Sequence, residues 1–340
     1  MLAKIESKKG AIAPMLKLLT KLLKKAPKQA NPGFTLIELL VAMIIATLVI
    51  TPLLGFMVNI LNSDRIEQAK ATSEAEIQTA IDYIAQDLEQ AVYIYNASGI
   101  ENASTATPPG IKNQIPPYTN ATAPGCGTST PNCFPVLVFW KRETVKNILP
   151  IATTATPPPK DDTFVYSLVA YYLVKDPGGI WSNTARIARF QIKAGVVDPN
   201  NPTNADGTTK YVDTAHEPSK GYKEFDLTNA GSTLGDKMNL WTKTTTPYTD
   251  KALTLIDYVD QSTADSPIQN CPADMPRVPS NTNIRGFYAC VNSSNTLAQV
   301  YIRGNALART SNTNSYSASN SAYFPTASVQ VKGRGFLGVN

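Results

Sequence analysis

Hydrophobicity along the chain is concentrated in one segment near the N-terminus. Residues 34–61 read FTLIELLVAMIIATLVITPLLGFMVNIL, in which Glu38 is the only charged residue. As a helix, these 28 residues would extend about 42 Å, which exceeds the roughly 30 Å hydrocarbon core of a bilayer. The segment therefore predicts one membrane-spanning helix, and Pro52 inside it permits a kink.

An amphipathic pattern follows the apolar segment and predicts that the helix continues over residues 62–97. Asn96-Ala-Ser-Gly99 supplies a stop signal. Apolar residues that recur at steps of three and four form a stripe expected to pack on a domain core: Ile77, Ile81, Ile84, Leu88, Ala91 and Tyr95. Polar residues occupy the other positions of this helix: Glu74, Glu76, Asp82, Gln86, Asp87 and Glu89.

Over residues 98–340 the pattern changes to short β-like runs that are separated by long loops rich in Thr, Asn, Pro and Ser. An antiparallel sheet packed on the outer half of the helix follows, so the expected fold class is α+β. The predicted strands are Val136–Arg142, Phe164–Lys175, Arg186–Lys193, Leu253–Val259, Phe287–Val291, Gln299–Arg303 and Val329–Lys332.

Charge is distributed unevenly and sets the expected orientation in the membrane. Residues 1–33 hold eight lysines against the single Glu6, a net charge of +7, whereas the whole chain carries +5 and the remainder therefore −2. By the positive-inside rule this basic leader stays cytoplasmic and residues from about 62 onward lie outside. The nearly neutral body shows no basic patch of the kind that nucleic-acid binding requires.

Glu38 is the residue that an ordinary anchor does not explain. A carboxylate at bilayer depth costs about 3 kcal/mol on insertion scales, so it needs a compensating partner. A secretory signal also fits badly, because the apolar run is too long and no A-x-A-like site closes it. Cleavage after Gly33 would instead give Phe34 a free amine four residues from Glu38, which can neutralise its charge.

Asn31 to Ala42, NPGFTLIELLVA, resembles the type IV prepilin cleavage and methylation motif. The resemblance implies that a prepilin peptidase cuts between Gly33 and Phe34, that the Phe34 amine is methylated, and that Glu38 pairs with the amino terminus of an adjacent subunit. It implies a leader over 1–33, a transmembrane and polymerisation helix over 34–61, and a pilin-like fold.

The order of elements further resembles the J-type minor pseudopilins. DLEQAVYIY, from Asp87 to Tyr95, and the C-terminal VQVKGRGFLGVN are similar to the hormogonium polysaccharide secretion pseudopilins of filamentous cyanobacteria. This implies a non-enzymatic subunit of a type IV pilus-like or type II secretion-like filament, supporting secretion and gliding motility. Its partners would be other major and minor pilins and an inner-membrane assembly platform with its ATPase. It would sit single-pass in the inner membrane, head in the periplasm, and then in a filament at the cell envelope.

Two other classes stay open from the sequence. One is a membrane-tethered adhesin or glycan-binding protein whose helix is only an anchor. Its loop aromatics would stack on sugar rings: Tyr118, Trp181, Tyr316 and Tyr323. The other is an anchored envelope enzyme, disfavoured because the sequence holds no phosphate loop, HExxH or nucleophile elbow, and a lone histidine, His216.

Four cysteines and one acidic loop are the remaining candidates for chemistry. Cys126, Cys133, Cys271 and Cys290 allow three disulfide pairings, of which the sequential one closes the smallest loops, and their even number fits an oxidising compartment. Asp198 and Asp206 in a Pro- and Asn-rich loop are a weak calcium candidate whose spacing misses the EF-hand pattern. No other cofactor is expected.

Overall fold

The computed structural model describes residues 33–116, 132–151, 159–175, 180–311 and 315–335. The basic leader up to residue 32 lies outside these ranges. The chain divides into two compact units, Met1–Asn62 and Ser63–Asn340. The described part of the first unit is helical from Leu36. The second unit, called the head below, contains the rest of that helix and every strand found in the described residues.

Helix α1 runs without interruption from Leu36 to Glu89 and includes Pro52. Within the first unit its large apolar side chains are all exposed, and this is the one helix in the described ranges long and apolar enough to cross a membrane. Within the head, one face of α1 is buried at three- and four-residue steps, as predicted. The buried residues there are Ala69, Ser73, Ile77, Ala80, Ile81, Ile84, Asp87 and Leu88.

The sequence pattern placed the end of the helix too late. Helix α1 ends at Glu89, and Ala91–Ile94 form strand β1, which pairs antiparallel with β2, Cys133–Pro150. All four residues of β1 are buried. A continuous apolar run of this kind is compatible with the end of a helix and with a short strand. β-branched and aromatic side chains favour the strand. Asn96 then caps a separate short helix, α2, Ala97–Glu101, through a hydrogen bond from the Gly99 amide.

A five-stranded antiparallel sheet forms the larger layer of the head, in the order β1-β2-β3-β4-β5. Strands β2 and β3 pair over most of their length and include the central pair Phe139 and Val169. The remaining strands of this sheet are β3, Lys160–Val174, β4, Ala185–Lys193, and β5, Leu253–Val259.

A second, four-stranded antiparallel sheet was not separated from the first in the sequence prediction. Its order is β6-β7-β8-β9, and the two-residue strand β6 was missed. Its strands are β6, Arg277–Val278, β7, Phe287–Asn292, β8, Leu297–Arg303, and β9, Thr326–Lys332. The sequence named the other three strands but held no signal for their partners, because pairing is a long-range property.

One hydrophobic core joins α1 and both sheets. The apolar face of α1 from Ile77 to Leu88 packs in the same cluster as the inner faces of the two sheets. Trp140 is fully buried in it, with its ring edge-on to that of Trp241 and the ring centroids 5.5 Å apart. A short helix, α3, Leu234–Asn239, completes this side of the core. The predicted α+β class with a long N-terminal helix on antiparallel strands is confirmed.

Candidate functional site

The bond between Gly33 and Phe34 lies at an open position just before α1. Phe34 is 83% exposed, and a Cβ atom added to Gly33 would meet no atom within 4 Å. Packing within this chain therefore does not require glycine at position 33. If glycine is required there, the requirement comes from whatever binds this segment.

Glu38 closes a capping box at the start of α1. Its Oε2 accepts hydrogen bonds from the Thr35 amide, at 3.1 Å, and from the Thr35 hydroxyl, at 2.9 Å, while the Glu38 amide donates to Thr35 Oγ1 at 3.3 Å. This reciprocal arrangement satisfies two amides that a helix start otherwise leaves unpaired. The sequence analysis did not predict this box, whose local signal is T-x-x-E before an apolar run.

The polar side chains in the apolar part of α1 are satisfied within the helix. The Thr47 hydroxyl lies 3.0 Å from the Met43 carbonyl and 2.9 Å from that of Ile44, and the Thr51 hydroxyl donates to the Thr47 carbonyl at 2.7 Å. Such bonds suit a segment surrounded by hydrocarbon, where an unpaired polar group is costly. They lie in the turns that precede Pro52, whose ring removes one helix hydrogen bond.

A buried carboxylate connects the last turn of α1 to three strands of the larger sheet. Asp87 Oδ1 lies 2.9 Å from Lys141 Nζ on β2, and Asp87 Oδ2 lies 2.6 Å from both the Tyr171 hydroxyl on β3 and Arg189 Nε on β4. The sequence pattern had grouped Asp87 with the polar positions off the apolar stripe. In the structure its side chain is only 8% exposed.

The charges of this Asp87 cluster are balanced. Lys141 also forms an ion pair with Glu143, whose Oε1 accepts from Gln191 Nε2 at 2.6 Å. Burial raises the pKa of Asp87, but the hydrogen bond and charge of Arg189 and the charge of Lys141 outweigh it and leave that pKa below 3.8. Asp87 is therefore ionised at neutral pH and held by two cations.

A second polar contact joins the part of α1 within the head to the chain that follows β8. Arg309 donates from Nε to the Ser73 hydroxyl at 2.9 Å, forms an ion pair with Glu76, and lies 4.0 Å from the centre of the Tyr258 ring. Ser73 is 2% exposed, so this contact is partly desolvated. Together with the Asp87 cluster, it attaches residues 73–87 of the helix to the rest of the head at two levels.

The structure contains one of the disulfides that the sequence left open. Cys271 and Cys290 are bonded, with their Cα atoms 5.5 Å apart. Cys133, at the start of β2, is also disulfide-bonded, and Cys126 lies outside the described residues. The Cys271–Cys290 bond attaches the loop before β6 to strand β7.

Removing the Cys271–Cys290 disulfide is expected to destabilise the head by about 3 kcal/mol, since the bond closes a loop of some twenty residues in the unfolded chain. The double variant Cys271→Ser, Cys290→Ser should unfold at lower urea concentration than the parent in detergent micelles. Fluorescence of the buried Trp140 and Trp241 reports the transition. An unchanged urea midpoint with an unchanged slope would contradict the expectation.

The calcium candidates are engaged in local loop structure. Asp198 accepts from the Asn200 amide at 3.0 Å and lies 3.4 Å from Lys210 Nζ, and Asp206 accepts from Thr208. Among the residues that the structure describes, no group of three or more His, Cys, Asp or Glu side chains is placed to hold a metal ion. Calcium binding stays a prediction.

Three of the aromatic residues suggested for sugar stacking lie against neighbouring side chains, and the fourth, Tyr118, is outside the described ranges. Arg186 approaches Trp181, Phe324 packs edge-on against Tyr316, and Lys70 lies over Tyr323. His216 Nδ1 lies 2.7 Å from Asp213 Oδ1 in an exposed turn.

Comparison with known proteins identifies the N-terminal segment. The family model of the prokaryotic N-terminal methylation motif matches residues 28–54, a range that contains Gly33, Phe34 and Glu38. No curated protein and no solved structure matches the chain. The match supports a type IV pilin-like protein, and the single long apolar helix fits a membrane-anchored one. Within that class, the motif implies processing by prepilin peptidase and assembly with other pilins. Subunits of this kind are structural and usually not enzymes.

Proposed function

We propose that this chain is a minor pseudopilin, a structural subunit of a type IV pilus-like or type II secretion-like filament. The match of the methylation motif to residues 28–54 carries the proposal. In it, a prepilin peptidase cuts after Gly33, Phe34 is methylated, and the exposed apolar part of α1 first spans the inner membrane and then packs among other subunits. An assembly platform and its ATPase supply the work of extrusion.

The attachment of α1 to the head supports this role. A subunit extruded by its helix must carry its sheets with it, so the part of α1 within the head needs a firm attachment to the rest of the head. The Asp87 cluster and the Arg309 contact provide one in hydrogen bonds and ion pairs, in addition to the hydrophobic core. J-type identity, polysaccharide secretion and surface motility are narrower proposals that rest on the sequence resemblance alone.

Processing is tested on protein isolated from cell envelopes. We expect N-terminal sequencing and mass spectrometry to give a chain that starts at methylated Phe34. Gly33→Leu should leave the leader attached, because the peptidase requires a small residue before the cut. Gly55→Leu is the matched control, since a Cβ atom there also meets nothing within 4 Å, and it should be cleaved normally. A working wild-type protein that still begins at Met1 would overturn the proposal.

A membrane-tethered binding protein is the alternative, and replacing the anchor separates the two. A chain in which residues 34–61 are exchanged for an unrelated transmembrane helix should lose co-isolation with other pilins if the segment polymerises. Retention of full function in that chimera would favour the tethered protein.

A further inference from the structure

The outer face of the second sheet carries a cavity of about 290 Å³ beside two stacked tyrosines. Tyr288 on β7 and Tyr301 on β8 are directly paired, with ring centroids 4.8 Å apart and planes within 14° of parallel. Ser328 on β9 pairs with Tyr301 and so projects from the same face of the sheet. A serine beside Tyr301 leaves the β9 side of that ring open to the cavity.

Gln269 lines the cavity from a loop that is held at three places. The disulfide joins Cys271 to Cys290 on β7, the Gln269 amide donates to the Tyr288 hydroxyl at 2.8 Å, and Arg303 donates to the Pro267 carbonyl. The backbone position of this loop is therefore fixed before any ligand arrives. A preorganised loop lowers the entropy that would otherwise be lost on binding.

Positive charge lines the cavity, and Arg285 has no carboxylate partner among the described residues. Its lining includes two arginines, Arg285 and Arg303, and no carboxylate among the described residues. Asp260 pairs with Arg303, whereas the buried Nε of Arg285 has no acceptor within the described part of the chain. Its Nη1 donates to the Ser266 carbonyl, which holds the guanidinium in place.

A third arginine increases the positive potential behind Tyr288. The guanidinium carbon of Arg277, on the β6 side, lies 4.2 Å from the centre of the Tyr288 ring. Burial lowers the pKa of Arg277, the nearby Tyr288 raises it, and the positive charge of Arg285 lowers it further. Nε and Nη1 of Arg277 also lack acceptors in the described residues. An anion near Arg277 and Arg285 would therefore relieve the repulsion between these two guanidinium groups.

We propose that this cavity binds a carboxylated sugar residue of an acidic polysaccharide, with the carboxylate on Arg285 and the apolar face of the sugar ring on the open face of Tyr301. A carboxylate matches the planar guanidinium donor set, and a tyrosine ring offers an apolar surface with a polar edge. The volume lies near the lower end of the range for ligand sites, which fits about one ring rather than an extended oligomer. The proposed sugar binding does not depend on the proposed role in a filament.

Binding is tested by calorimetry on the full chain in detergent micelles with three probes. Trigalacturonate carries rings and carboxylates, galactotriose carries rings alone, and triglutamate carries carboxylates alone. We expect trigalacturonate to bind at least about tenfold more tightly than either of the others, because only it satisfies both Arg285 and Tyr301. No binding of trigalacturonate, or equal binding of either comparison probe, would overturn the proposal.

Two variants place the binding in this cavity. Arg285→Gln removes the charge, and Ser328→Trp fills the space beside Tyr301 and leaves both arginines of the cavity in place; each should weaken trigalacturonate binding about tenfold or more. Arg142→Gln is the control, because that guanidinium also lies over an aromatic ring, 3.5 Å from the centre of Phe164, but in the other sheet. Thermal unfolding monitored by circular dichroism checks folding, and if Arg285→Gln fails to fold, Ser328→Trp carries the test. Unaltered binding in a folded Ser328→Trp variant would refute the location.

Discussion

Asp87→Ala is expected to destabilise the head by about 3 to 5 kcal/mol, since it removes one partner from a buried group of charges. Arg189 would lose its carboxylate while remaining only 16% exposed, and the Tyr171 hydroxyl would lose its acceptor. Lys141 would keep Glu143, which limits the loss. Urea unfolding in detergent micelles, followed by the fluorescence of the buried Trp140 and Trp241, measures the change.

The control for Asp87→Ala is the same substitution one and a half turns earlier. Asp82 is exposed on α1, and its Oδ1 accepts a hydrogen bond from Gln78 at 3.0 Å, so Asp82→Ala should change stability by no more than about 0.5 kcal/mol. Asp87→Asn keeps the shape but loses the charge, and should cost about 1.5 to 3 kcal/mol. Equal losses for Asp82→Ala and Asp87→Ala would show that the cluster contributes nothing specific.

The pH dependence of the stability difference between the parent and Asp87→Asn is a second test of the cluster. The pKa of Asp87 is lower in the folded head than its ordinary value of 3.8, so the folded state binds the proton less readily than the unfolded state does. Its stabilising contribution is therefore complete well above pH 3.8 and is lost as the pH falls through the folded pKa. We expect the stability difference between the parent and Asp87→Asn to be constant from pH 7 to about 5 and to shrink at lower pH.

The strands that the sequence predicted correctly are those whose pattern is local. Leu253–Val259 has the predicted bounds, and the predicted strand Arg186–Lys193 lies within β4. The long apolar segment and the stripe from Ile77 to Leu88 also predicted the helix. The stripe is a local signal because burial of one helix face repeats every 3.6 residues. The end of that helix was misplaced because AVYI is buried as a whole and has no period to read.

Features that depend on distant partners were not predictable in the same way. Asp87 looks like a solvated helix position until Lys141, Tyr171 and Arg189 are brought to it from 54, 84 and 102 residues away. The Arg285 cavity likewise depends on a strand pairing, Tyr288 with Tyr301, and on which cysteines are joined. By contrast, the box between Thr35 and Glu38 is local, and its signal, T-x-x-E before an apolar run, is present in the sequence.

Glu38→Gln is expected to leave leader cleavage intact and to reduce incorporation into filaments by roughly a hundredfold. The substitution leaves the amine of a neighbouring subunit in hydrocarbon without its anionic partner, which costs about 3 kcal/mol and corresponds to that factor. In the proposed filament, the amine of Phe34 from a neighbouring subunit supplies the positive charge, and a glutamine cannot pair with it as an ion. The measurement is the amount of this subunit in sheared or co-purified filaments, relative to the amount in membranes.

The capping box provides the control that separates the two roles of Glu38. Glutamine at this position can still complete the box with Thr35, so Glu38→Gln changes the charge and keeps the cap. Thr35→Val does the reverse, because it removes the hydroxyl that bonds to Glu38 and leaves the carboxylate. If Thr35→Val is incorporated normally and Glu38→Gln is not, the charge of Glu38 is what assembly requires. If Glu38→Gln is incorporated normally and Thr35→Val is not, assembly requires the capped start of the helix. That result would contradict ion pairing between subunits.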